Sequence, residues 1–313
     1  MTTPPPHHPT TPPSLHALSF DIEDWFHIVE VKAVEDPAKW PALSAESSLV
    51  ERYTDLILKI CDDAGVKATF YLLGWIAERH PAMCARIASA GHEIGTHSFW
   101  HRKVYELDAE SFHKDITDSL DAIEAATGVR ARTFRAPSFS ITDGSEWAFD
   151  VLADLGIEYD ASLFPAARGH GGYACPRGIH TVTSPKGRVI PELPMSVMDL
   201  GPKRVCYSGG GYLRVLPNWL IARGVKQELA AGRPTVVYLH PRDFAPDCPR
   251  VPMPPHRRFK CYTGMKTTEP KLRRLLERFG FGTCRAVLEE SGALRPISAP
   301  EPSVAPAVSA DSR

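Results

Sequence analysis

The order of apolar and polar segments predicts an α/β fold, a (β/α) barrel forming a single large domain. Three observations carry that expectation. Short apolar or β-branched runs alternate with helical patterns, as parallel strands joined by crossover helices require. No GxGxxG or Walker loop follows the first strand, so a nucleotide-binding doubly wound sheet has no support. Polar residues of catalytic type instead stand just past the ends of several strands, where barrel enzymes place their chemistry.

The first strand is expected at residues 17–22 (ALSFDI), ending in acids. Leu49, Tyr53, Leu56, Ile57 and Ile60 then recur at helical spacing. Residues 67–73 (KATFYLL) form the next strand, residues 75–90 a helix, and residues 92–95 a short strand. Asp108 can cap a helix whose apolar face is Phe112, Ile116, Leu120 and Ile123. A strand at 133–136 follows, then a helix to Leu155 with a stop at Gly156. Residues 219–231 read as helix, 234–239 (PTVVYL) as a strong β-branched strand, and 272–279 as a last helix.

The 313 residues carry 36 Lys plus Arg against 37 Asp plus Glu, a net charge of −1. That balance argues against a protein that grips nucleic-acid phosphate. No apolar run approaches the roughly 20 residues of a membrane-spanning helix. Residues 1–16 have neither the basic start nor the apolar stretch of a secretory signal, so a cytoplasmic location is expected. The seven cysteines are scattered without a CxxC pair, which points to reduced thiols rather than a zinc knuckle or disulfide framework. Both ends are rich in Pro, Ser, Thr and Ala, and residues 1–14 and 296–313 are expected to be disordered tails.

Four clusters could carry chemistry. Asp21, Glu23 and Asp24 crowd three carboxylates at a strand end, where they repel unless a cation, a proton or an arginine compensates. If the strand stays extended, Glu23 shares a face with Asp21; if it bends first, Asp24 is the one that reaches a metal. The competing reading is a solvated acidic loop. His97 and His101 are spaced to sit on one side of a helical turn, and with an acidic strand end they make an open two-histidine, one-carboxylate metal site. Arg135 can hold and ionise a nearby carboxylate. His240 emerges at the end of the strongest strand and suits a general acid or base, a structural histidine being the alternative.

In order and approximate spacing these segments resemble the motifs of the NodB-homology polysaccharide deacetylases. The matching stretches are FDIED (20–24), HSFWH (97–101), RAPSF (135–139), YDASLFP (159–165) and the Leu239-His240 pair. SGGGYLR (208–214) and CYTGMKTTEPKLRRLL (261–276) look like the C-terminal extension of the exopolysaccharide-associated branch. The resemblance implies a deformed barrel over residues 15–245, with an extension at 246–295 packed on it. It implies a metal-dependent hydrolase that removes N-acetyl groups from an N-acetylated sugar or polysaccharide and releases acetate. By resemblance Asp21 is the general base, Arg135 orients it, and His240 is the general acid, tuned by Asp160. His97 and His101 are the metal pair, and backbone N–H groups near Ser138 and Phe139 hold the oxyanion.

Two departures from the family pattern bear on these roles. The usual adjacent Asp-Asp pair is stretched here to Asp21-Ile22-Glu23-Asp24, which leaves the metal carboxylate open between Glu23 and Asp24. The Asp160 motif lacks its usual neighbouring Trp. The donor set suits zinc, and also cobalt, nickel or iron. Two other function classes compete: a metal-dependent amidohydrolase on a non-sugar amide or ureide, and a non-catalytic carbohydrate-binding barrel. Retention of Asp21, both histidines, Arg135 and His240 together counts against the second of these.

Overall fold

Every residue of the first strand, β1 (His16–Ile22), is buried, yet alternate side chains enter different cores. Leu18, Phe20 and Ile22 join the large cluster that includes Phe70, Leu72 and Ile57. Ala17 joins a second cluster with Tyr71, Tyr159, Ala161 and Tyr238. The two-residue period of a strand produces this split: even positions pack under helices, odd positions fill the inside of a curved sheet.

A computed structural model of the chain describes residues 14–29, 31–166 and 172–296. Apart from Ser14 and Pro296, the expected tails lie outside the described residues. After β1 the strands are β2 (Thr69–Leu72), β3 (Glu93–Thr96), β4 (Thr133–Phe134), β5 (Tyr159–Asp160), β6 (His180–Thr183) and β7 (Val189–Glu192). They continue with β8 (Val197–Leu200), β9 (Lys203–Cys206), β10 (Val236–Leu239) and β11 (Phe281–Gly282). The main sheet runs β10-β1-β2-β3-β4-β5-β7-β6, with β11 added beside β1. Its neighbours are parallel except the β6–β7 hairpin. This is the expected α/β deformed barrel, a curled sheet rather than a closed ring of eight equal strands.

The helices follow the sequence signals closely where those signals are strong. Helix Ala109–Thr127 starts at Asp108, whose carboxylate accepts from Ser111 N at 2.8 Å, and ends at Gly128 with φ of 71°. The helix expected over 75–90 is instead two, Gly74–Arg79 and Pro81–Ser89. Pro81 has no N–H to continue the first and a preset φ to begin the second. One glycine is dictated by the barrel interior. A Cβ on Gly95 would lie 2.5 Å from the Tyr71 ring and 2.8 Å from Thr133 Cγ2.

The hairpins β6–β7 and β8–β9 were not anticipated. β6 is a polar HTVT run, β7 carries Pro191 within it, and Asp199 and Leu200 of β8 are exposed. Such short, partly polar strands lack the continuous apolar run that announces a buried one. All seven cysteines are free thiols, as expected. No helix among the described residues is long and apolar enough to cross a membrane.

Candidate active site

Strand register brings the clusters together before any side chain is considered. Phe20 of β1 pairs with Leu239 of β10, so the next residues, Asp21 and His240, stand side by side. Thr96 of β3 pairs with Phe134 of β4, which does the same for His97 and Arg135. All four lie at the C-terminal ends of parallel strands.

Arg135 is fully buried. Its Nη1 lies 2.8 Å from Asp21 Oδ1 and donates to Ser19 Oγ at 2.8 Å, while Nε donates to Ala161 O at 3.2 Å. The guanidinium stacks 4.2 Å from the centre of the Tyr71 ring. Ser19 belongs to this set by its two-residue period with Asp21, a signal present in the sequence.

Glu23, His97 and His101 each offer one ligand atom, all within 4.8 Å of one another. Glu23 Oε2 lies 2.8 Å from His101 Nε2, and Oε1 lies 4.0 Å from His97 Nε2. His97 Nδ1 sits 2.7 Å from Arg135 O. A carbonyl only accepts, so Nδ1 carries the proton and Nε2 presents its lone pair toward Glu23. Burial keeps His97 below its ordinary value, hence neutral. Burial works against an ionised Glu23, but the charge and hydrogen bond of His101, with His240 and His97, bring it down to about 2. An anionic carboxylate and two imidazoles converging by Nε2 form a donor set that fits a divalent cation.

The structure separates the two candidate carboxylates. Asp24 turns the other way: it accepts from Trp25 N at 2.8 Å, from Leu49 N at 3.1 Å and from the Ser48 hydroxyl. Asp24 N in turn donates to His27 Nδ1 at 3.0 Å. This short capped helix, Trp25–Ile28, bends the chain immediately after Glu23, so Glu23 keeps the face of Asp21 and Asp24 does not.

The helical turn expected for the histidine pair is absent. Ser98 and Phe99 carbonyls instead accept from Gly74 and Trp75 N–H, and Phe99 N donates to Asp115 at 2.7 Å. His101 N donates to Ser98 Oγ at 3.1 Å rather than to the His97 carbonyl that a helical turn would use. Ser98 has φ of 67° and His101 of 53°. With Ser138 at 55° and Phe139 at 53°, they are the positive-φ non-glycine residues among the described residues, and all four fall in the two motifs beside Glu23 and Asp21. Backbone strain of this kind clusters at active sites and ligand clamps. Phe139 N, one of the two expected oxyanion donors, donates to Ala136 O at 3.0 Å within its own turn.

His240 Nε2 lies 3.4 Å from Glu23 Oε1 and 3.9 Å from Asp21 Oδ2. Its Nδ1 meets Asp243 Oδ2 at 3.0 Å, and the same oxygen accepts from His240 N at 3.0 Å. Burial disfavours the charged imidazole, yet the hydrogen bond and charge of Asp243, then Glu23 and Asp21, raise it to about 9. Asp243 was missed in the sequence, although His-x-x-Asp at 240–243 is the available signal. The tuning role expected of Asp160 therefore needs correcting. Asp160 accepts from Ser162 N at 2.9 Å and Ser162 Oγ at 2.7 Å, and it pairs with the buried Glu192 rather than with His240. β5 is five strands from β10 along the sheet.

Residues 35–159 match the family model described as polysaccharide deacetylase. That segment belongs to the polysaccharide deacetylase family. Residues 161–289 match a domain of unknown function (DUF3473). The deacetylase segment thus supplies His97, His101 and Arg135; Asp21 and Glu23 precede it, and His240 and Asp243 come from the second match. The chain is 31% identical over 120 residues to a peptidoglycan-N-acetylglucosamine deacetylase of Bacillus cereus, covering 34% of this chain and 44% of that protein. It is 32% identical over 73 residues to a chitooligosaccharide deacetylase of Rhizobium leguminosarum bv. trifolii, covering 23% of this chain and 34% of that one. Each match spans less than half of the relative. A crystal structure of a candidate polysaccharide deacetylase from Mycobacterium smegmatis covers 95% of this chain and 99% of its own, with a TM-score of 0.56 and 19% identity. It shares the deformed-barrel fold.

Proposed function

We propose that the chain is a metal-dependent N-deacetylase that releases acetate from an N-acetylated sugar or glycan. One observation carries the reading: the Glu23–His97–His101 donor set adjoins two proton-handling groups, Asp21 and His240, which stand side by side with His240 Nε2 3.4 Å from Glu23 Oε1 and 3.9 Å from Asp21 Oδ2. Glu23, His97 and His101 would hold the ion, zinc by the chemistry of the donors, with cobalt, nickel or iron as alternatives. Once bound, a divalent ion supplies Lewis acidity and acidified water.

The remaining work falls to the chain. Arg135 holds Asp21 Oδ1, so Asp21 takes up a proton at Oδ2 as general base. His240 carries a proton on Nε2 and gives it to the departing sugar amine, a poor leaving group without it. Asp21, Glu23, His97 and Arg135 are nearly inaccessible to solvent, which strengthens every charge interaction during the reaction.

Names of relatives point to N-acetylglucosamine in a polymer or oligomer as the substrate class. The same proposal includes a barrel over 15–245, an extension over 246–295 and a cytoplasmic location, to be checked by limited proteolysis and cell fractionation. Acetate release from chitooligosaccharides and N-acetylated sugar precursors, before and after chelation, tests the function. Release that stops with chelation and returns with zinc supports it. Intact sugars together with hydrolysis of a cyclic ureide would replace it by the amidohydrolase reading.

A further inference from the structure

Residues 208–214 (SGGGYLR) lie against the strand end that carries His240. Gly209 bridges to Tyr238, and a Cβ on Gly209 would lie 1.9 Å from the Tyr238 ring. A Cβ on Gly210 would stand 3.1 Å from Asp243 Oδ2. The glycines therefore let this backbone approach the His240–Asp243 pair closely.

Arg214 follows these glycines and is buried, 4% exposed. Nη1 donates to Cys261 O at 2.9 Å and Thr263 O at 3.2 Å, and Nη2 donates to Lys260 O at 2.8 Å. Nε lies 3.0 Å from Asp243 Oδ1, off the line of a hydrogen bond, so this contact is an ion pair. Asp243 is thus held from both sides, Oδ1 by Arg214 and Oδ2 by His240. Burial opposes its ionisation, but Arg214 and then His240 hold it well below the usual carboxylate range. The carbonyl of Arg214 is itself tied to Thr267 Oγ1 at 3.0 Å and Lys271 Nζ at 2.7 Å.

We propose that Arg214 is a positioning residue of the acid. Anchored on the carbonyls of residues 260–263, it fixes Asp243, which keeps the His240 ring turned with Nε2 toward Asp21 and Glu23. The segment of unknown function then does more than cover the barrel, because it completes the acid half of the site. This inference rests on the reading of His240 as general acid.

The test compares Arg214→Met and Arg214→Lys with wild type on acetate release, metal content and thermal unfolding. The Met variant should lose about 10–10² in kcat with KM and metal content unchanged, the usual cost of losing a group that orients a functional histidine. Lys, which keeps a cation at Asp243 without the three-carbonyl fan, should recover part of kcat, as should guanidinium ion added to the Met variant. If the Met variant does not fold, the Lys variant carries the test. A second readout needs no turnover: the His240 Nδ1 proton signal in ¹⁵N-histidine NMR, assigned by its absence in His240→Ala, should be present in wild type and lost or shifted in the Met variant. A folded Met variant with wild-type kcat and an unchanged signal overturns the role of Arg214. A wild type that releases no acetate counts against the deacetylase reading instead, and the His240 signal alone then decides the position of Arg214.

Discussion

The base side and the acid side of the site each pair a buried carboxylate with a buried arginine, but they are built by different means. On the base side, Asp21 and Arg135 come from β1 and β4, and an aligned 2.8 Å hydrogen bond joins them. Parallel register places both, with Tyr71 as a ring platform between the strands. On the acid side, Asp243 is three residues from His240 in a tight turn, and Arg214 reaches it by an ion pair from a short helix after a glycine run. The sheet fixes one side through strand pairing, whereas the other depends on a local turn clamped by a distant segment. Loss of an Asp21 or Arg135 partner should therefore be severe, since an unpaired buried charge costs about 3–5 kcal/mol.

The largest expected effects come from removing the proton-handling groups themselves. Asp21→Asn and His240→Ala should each lower turnover by about 10²–10⁴. Both should keep wild-type metal content, because neither residue belongs to the ligand set. If Asp21→Asn loses its metal, Asp21 is a ligand and the division between sides fails.

An intermediate effect sharpens the acid side. Asp243→Asn should lower turnover by about 10–10², less than His240→Ala, because Asp243 acts only through the imidazole. Asp160→Asn should leave turnover near wild type. Steady-state kinetics on the two variants would reverse the assignment if Asp160→Asn proved the more damaging.

The smallest effect concerns pH and the carboxyl pair behind the base side. Burial, then the charge of Asp160, pushes the Glu192 carboxyl well above its ordinary range. A carboxyl raised on folding contributes its full share below its unfolded value, about 4.3, and that share is lost as pH rises through the folded value. Wild type should resist urea less well at pH 9 than at pH 5. Glu192→Gln keeps an acceptor for Leu163 N, which Glu192 Oε1 now accepts at 2.9 Å, but cannot ionise. It should gain about 1–3 kcal/mol at pH 9 and little at pH 5. Parallel pH slopes in the two proteins would show that the pair does not titrate in this range.

The same contrast governs what the sequence disclosed. β1, β2 and β10 are largely apolar and buried on both faces, and β3 is buried apart from Glu93, so the polar residues at their C-terminal ends, Asp21, His97 and His240, were legible. Glu23 against Asp24 was not legible, because the choice depends on a four-residue helix capped by Asp24 and answered by His27, too short to leave a periodic trace. The acid side was legible only in His240: Asp243 and Arg214 take their meaning from the turn and from residues 260–263, far away in the chain. The pairing of Asp160 with Glu192 was hidden because β7 is a short strand interrupted by proline.

The central claim is that one divalent ion sits at Glu23, His97 and His101, on the base side, with Asp24 turned away from it. Anomalous scattering from zinc-loaded crystals tests this most directly. The expected map has one peak bounded by the Glu23 carboxylate and the Nε2 atoms of both histidines, at about 2.0–2.1 Å from each nitrogen, while Asp24 remains on Ser48 and Leu49. A peak on the Asp24 carboxylate, or none at the histidine pair in fully loaded protein, would contradict it.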